Sequence, residues 1–79
     1  MKEEALDIVR VLVTNGAKPG ADIALATIIV WCDEAGFDEE ACLRGLGKAA
    51  GAGWIVGIRN FEFIRLTRAG SAAVGRSTH

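Results

Sequence analysis

Seventy-nine residues, 51% of them apolar, make one domain with a single core, a size that is marginally stable without a disulfide, a metal or a partner subunit. Two cysteines, Cys32 and Cys42, and one histidine, His79 at the last position, exclude a disulfide framework or a Cys/His zinc site and leave self-association as the helper. The net charge of −1 hides a polarity: residues 1–40 hold three Lys/Arg and nine Asp/Glu (3 − 9 = −6), and residues 41–79 hold six Lys/Arg and one acid (6 − 1 = +5), so either one surface attracts anions or the two halves pair.

Residues 3–14, EEALDIVRVLVT, have a helical period. Ala5, Ile8, Val9 and Leu12 share one face, Glu3, Asp7, Arg10 and Thr14 the other, and Leu6, Val11 and Val13 widen the apolar arc. Asn15-Gly16 suits a left-handed helix end, and AKPG follows as a linker. Asp22 is expected to cap a second helix, IALATIIVWCDEA, stopped by Gly36. TIIVW alone also reads as a strand, but ADIALA before it and DEAG after it favour helix. This helix is apolar nearly all round, so it must be covered all round, which again points to a partner.

Asp38 caps a third helix with Glu39 and Glu40 in its first turn, where the helix dipole favours carboxylates. Cys42, Leu46, Ala49 and Ala50 form its inner face, and Arg44 and Lys48 lie together outside with Glu40 and Gly51. Glycines 45, 47 and 51 each cost the helix about 1 kcal/mol relative to alanine; they either admit another backbone or a ligand or mark a frayed end. After Gly53 come two strands, Trp54–Ile58 and Phe61–Leu66, joined by a two-residue turn at Arg59-Asn60 that pairs Ile58 with Phe61 and Val56 with Phe63. Thr67 is placed to cap a short terminal helix or turn, RAGSAAVGR, and residues 71–79 are expected to form a partly disordered tail. Trp31 and Trp54 read as core or interface anchors, and the cysteines as small core residues.

Lys2-Glu3-Glu4 is no secretory start, and the longest apolar segment, Ile23 to Cys32, is interrupted by Thr27 and far short of a membrane span, which takes about 20 residues. A soluble cytoplasmic protein is expected. Catalysis is not: there is no internal histidine, no nucleophile with its base, and GKAAGAG lacks phosphate-loop spacing. No cofactor is expected.

The order of helices and hairpin, with Gly53-Trp54-Ile55 opening the hairpin and Leu66-Thr67-Arg68-Ala69-Gly70 closing it, resembles the winged helix-turn-helix domain of MarR- and PadR-type regulators. The resemblance covers about residues 3 to 75. It implies a mainly α fold with a small β-hairpin (α+β), a three-helix core plus a two-stranded wing, and a dimeric transcriptional regulator whose third helix enters the DNA major groove. Carried across, the DNA-binding positions are Arg44 and Lys48 on that helix, Arg59 and Asn60 at the wing tip, and Arg65 and Arg68 as further phosphate contacts. The chain departs from the pattern in placing Asp38, Glu39 and Glu40 at the start of the third helix, which also lacks Ser, Thr, Asn and Gln. The alternative is a winged-helix module that dimerises or binds another protein through its apolar first two helices.

Overall fold

Helix α1 (Glu4–Thr14) forms where the period places it. In the computed structural model, which describes residues 3–77, it turns Ala5, Ile8, Val9 and Leu12 into the core. Four further elements follow the reading in kind: α2 (Leu25–Glu34), α3 (Glu39–Gly51) and the strands β2 (Ile55–Ile58) and β3 (Phe63–Leu66). The TIIVW stretch is helical. The helix ends are written locally. At Asn15-Gly16, Gly16 takes φ +92°, and the Ala17 amide donates to the Leu12 carbonyl at 3.0 Å. The same closure recurs after α2 and α3, where the Phe37 and Trp54 amides donate to Cys32 and Ala49. At the start of α3 the Asp38 carboxylate accepts from the Ala41 amide at 2.8 Å, the expected cap.

Asp22 does not cap α2. Residues Asp22–Ala24 form a third strand, β1, antiparallel to β3, so the sheet has three strands in the order β1-β3-β2 rather than the expected two. Asp22 stands opposite Arg65 and Ile23 opposite Ile64. The Gly20 amide donates to Leu66 and the Leu25 amide to Glu62, extending the pairing at both ends. The carboxylate instead takes a two-pronged Arg65 contact across the sheet: Nε–Oδ1 is 2.7 Å and an Nη–Oδ2 bond 3.2 Å. Helix α2 therefore starts at Leu25, with no side-chain cap.

The wing turn also differs. Ile58 pairs with Phe63 and Val56 with Arg65, two residues along from the expected register, so inward and outward faces are preserved. The loop is Arg59–Glu62, with Arg59, Asn60 and Phe61 all left-handed (φ 53°, 55° and 67°). Phe61 leaves the ladder because its ring lies over Gly57, so closely that a Cβ there would stand 2.6 Å from it.

The GW and LTRAG segments bind one another. The Thr67 hydroxyl donates to the Gly53 carbonyl at 2.7 Å and accepts from the Gly70 amide at 3.1 Å, capping a last helix, α4 (Arg68–Ser77). The Thr67 amide donates to the Trp54 carbonyl, and any side chain at Gly70 would collide with that same carbonyl. Helix α4 takes in residues 71–77 of the stretch expected as a tail and buries Ala73 and Val74; residues 78 and 79 lie outside the described residues. Among the described residues no helix is long and apolar enough to cross a membrane.

Gly45 is where α1 and α3 meet. A Cβ at this position would strike the Ile8 side chain and stand 2.9 Å from the Glu4 carbonyl oxygen, whereas Gly47 and Gly51 face open space. Close backbone approach, not fraying, explains the first of these glycines. Gly45→Ala is therefore expected to destabilise the fold by about 1–3 kcal/mol through overpacking, despite its better helix propensity. Gly47→Ala should stabilise by up to about 1 kcal/mol. Urea unfolding of the two variants checks this, and equal effects would contradict the close approach.

Candidate functional surface

The six sequence-predicted DNA contacts fall into three groups. Arg44 and Lys48, one turn apart on α3, are brought together on one carboxylate that sequence reasoning missed. Arg44 Nε donates to Glu4 Oε2 at 2.8 Å, and Lys48 Nζ donates to Glu4 Oε1 at 2.6 Å. Glu4 reaches both because Gly45, between them, lets the first turn of α1 lie on α3. The Lys48 hydrogen bond first, and the Arg44 bond second, hold Glu4 below the ordinary glutamate range, while Glu4 raises Arg44. Arg65 is engaged elsewhere, on Asp22 at the β1 edge, and its hydrogen bonds hold that carboxylate below its ordinary value. The third group has no such partner: Arg59 and Asn60 are exposed at the wing tip, Arg68 is exposed at the start of α4, and none closes an ion pair among the described residues.

The two charged halves thus meet each other at Glu4 and Asp22. What α3 leaves exposed is Glu39, Glu40, Leu43, Gly47 and Gly51, besides the two clasped cations. Leu43 is 43% exposed. That face offers few groups able to read a base edge and begins with carboxylates that phosphates would repel. Helix α2 buries Ile28 and Cys32 and half-covers Leu25, Ile29 and Trp31, but leaves Val30 55% exposed beside Ala26 and Thr27. The apolar face of α1 is consumed by the core, and the large apolar side chains left exposed among the described residues are Val30 on α2, Leu43 on α3, Val56 on β2 and Phe61 in the β2–β3 turn.

Cys32 and Cys42 are wholly buried between α2 and α3. Burial first, then the neighbouring Cys42, pushes the Cys32 thiol up to about 12, and burial likewise raises Cys42. Neither is a nucleophile at neutral pH. Among the described residues no three His, Cys, Asp or Glu side chains converge as metal ligands would. A groove of about 200 Å³ opens between α1 and the α2–α3 turn, with Val11, Ala35 and Phe37 as its apolar lining and the Asp7–Arg10 pair, Thr14 and Asn15 as its polar lining. Phe37 gave no functional signal in the sequence because its place depends on the turn that presents it.

No protein-family model, curated protein or solved structure matches the chain.

The Glu4 clasp has a pH signature. A carboxylate held below its ordinary value contributes stability above that value and loses it as pH falls through the depressed one. Glu4→Gln is expected to lower the melting temperature at pH 7 and low salt. The gap to wild type should close as the buffer is acidified below the ordinary glutamate value of about 4.3 and shrink near 1 M salt. Thermal melts at pH 7 and pH 3 check this, and an undiminished gap at pH 3 would exclude the pairing as its source.

Proposed function

We propose that the chain is a winged-helix domain that works as a protein-interaction module and does not read duplex DNA. The element order α-β-α-α-β-β, the strand order β1-β3-β2 and the contact between Gly53-Trp54 and Thr67–Gly70 support the winged-helix reading. The observation that carries the functional half is the Glu4 clasp: one carboxylate engages both cations that the third helix would present to phosphates. Taken with Asp38, Glu39 and Glu40, Glu4 makes four acids against two cations on and beside α3, a balance that opposes docking into a polyanion's groove. Exposed ion pairs are individually weak, so a phosphate could compete for Arg44 and Lys48, but it would meet these carboxylates in doing so. Self-association through α2 is the assembly this reading expects, since Val30 and its half-covered neighbours remain on the surface.

A second reading, a dimeric DNA-binding transcriptional regulator, is favoured by the wing. Arg59, Asn60 and Arg68 are exposed and close no ion pair among the described residues. Such contacts position a protein on the backbone without specifying sequence.

Fluorescence anisotropy on a random duplex at about 50 and 200 mM salt separates the two readings. The expected result is no saturable binding at tens of micromolar protein. Binding that falls steeply with salt and is lost in Arg44→Glu/Lys48→Glu would overturn the interaction reading in favour of the regulator. Sedimentation at micromolar concentration is expected to give a dimer or larger species, and Val30→Lys to shift it toward the monomer.

A further inference from the structure

Helix α2 gives one side to the core and leaves the other to solvent. Ile28 and Cys32 are buried, while Ala26, Thr27, Val30, Asp33 and Glu34 are exposed. At about 100° per residue these five lie within about 60° of Val30 around the helix, so they form one outer stripe. Val30, the most exposed large apolar side chain among the described residues, stands at its midpoint. The two ends of the stripe have opposite needs. No side chain caps the first turn of α2. Asp22 is held by Arg65, and the Leu25 amide is taken by the Glu62 carbonyl. The Ala26 and Thr27 amides therefore stand at the positive end of the helix with no acceptor from its own turns. At the other end, Asp33 and Glu34 close no ion pair among the described residues. They sit at the negative end of their own helix, where a carboxylate is unfavourable.

This stripe is its own complement. When two copies of α2 pack antiparallel about a twofold axis at Val30, positions equally far before and after Val30 stand level. Val30 then meets Val30, Ala26 meets the second copy's Glu34, and Thr27 meets its Asp33, at both ends of the contact. Each pair of carboxylates moves from the negative end of its own helix to the uncapped positive end of the other. Parallel packing would set the same carboxylates against their own copies, like charge on like. The other exposed apolar side chains have no such setting. Leu43 lies one turn from Glu39 and Glu40, Val56 pairs with Arg65, and Phe61 rests on Gly57. We infer that α2 docks antiparallel on α2 of a second copy of this chain, about a twofold at Val30, with each copy's Asp33 and Glu34 serving the open first turn of the other. The inference rests on the protein-interaction reading and gives its self-association a direction and a register.

The test traps the contact in the full-length chain with single cysteines at exposed positions of α2. Each variant is oxidised with diamide at concentrations where sedimentation shows association, and covalent dimers are counted on a non-reducing gel. Wild type, whose Cys32 and Cys42 are buried, sets the background. Val30→Cys is expected to trap a dimer, and so is an equimolar mixture of Thr27→Cys and Asp33→Cys, whose positions stand level. Thr27→Cys alone should stay at background, because its two copies are separated by about 9 Å along the helices. Asp33→Lys/Glu34→Lys should weaken dimerisation about tenfold or more by sedimentation. Lysines at that end favour the monomer's own helix dipole, so a melting temperature at or above wild type separates this loss from unfolding. Trapping by Thr27→Cys alone as readily as by the mixture would overturn the antiparallel register. Association without trapping at Val30→Cys would move the interface to another face. Undiminished association of the lysine variant would remove the charge complementarity, and a monomer at every concentration would remove the contact itself. Those outcomes concern α2 alone. The duplex titration decides the interaction reading separately, because it depends on Arg44 and Lys48.

Discussion

The close approach of α1 and α3 at Gly45 is the constraint on which the rest of this structure depends. Without a side chain at that position, the Ile8 side chain and the Glu4 carbonyl oxygen occupy the space a Cβ would fill. The core follows from this contact. Ile8, Val9 and Leu12 meet Cys42, Leu46 and Ala49 across it, all buried. The electrostatics follow too, because the first turn of α1 can set one carboxylate between the cations one position before and three positions after Gly45. A helix normally loses by carrying a glycine in its interior. Here the loss is offset by the close packing that the glycine permits.

The charge polarity of the chain is largely spent inside the molecule. Glu4 and Asp22, from the acidic half, engage Arg44, Lys48 and Arg65, half of the cations in the basic half. These are exposed pairs of modest energy. Their larger consequence is for recognition: α3 keeps an acidic start and a glycine-rich outer line, and the cations of the basic half that close no ion pair among the described residues lie at the β2–β3 turn and on α4. The structure thereby separates two properties that the resemblance joins, the order of helices and hairpin and a third helix with free cations.

What was legible in the sequence was local. The faces of α1 and α3, the Asp38 and Thr67 caps and the glycine ends of α1 and α3 all rest on interactions within a few residues. What was not legible was set at a distance. Strand β1 is three residues long and lies in ADIALA, a stretch whose alanines read as helix; only β3, some forty residues later, makes it a strand. The hairpin turn was misread because Phe61, apolar and suited to a strand, instead covers Gly57 in a left-handed conformation. The candidate site was half legible: Arg44 and Lys48 do lie together, but the acid that joins them is forty residues away from the first of them.

The sequence by itself determined where helices begin and end, which of their faces are apolar, and that acid and base are segregated along the chain. Hydrogen bonds between near neighbours and side-chain periodicity act before the chain has closed on itself, so they leave their mark in short windows. Tertiary structure alone decided which charges would neutralise each other, where the third strand would form, and which glycine is a contact rather than a gap. Those outcomes depend on distances between segments remote in sequence, and a one-dimensional pattern of charge and hydropathy does not encode the approach of two backbones to within a few ångströms.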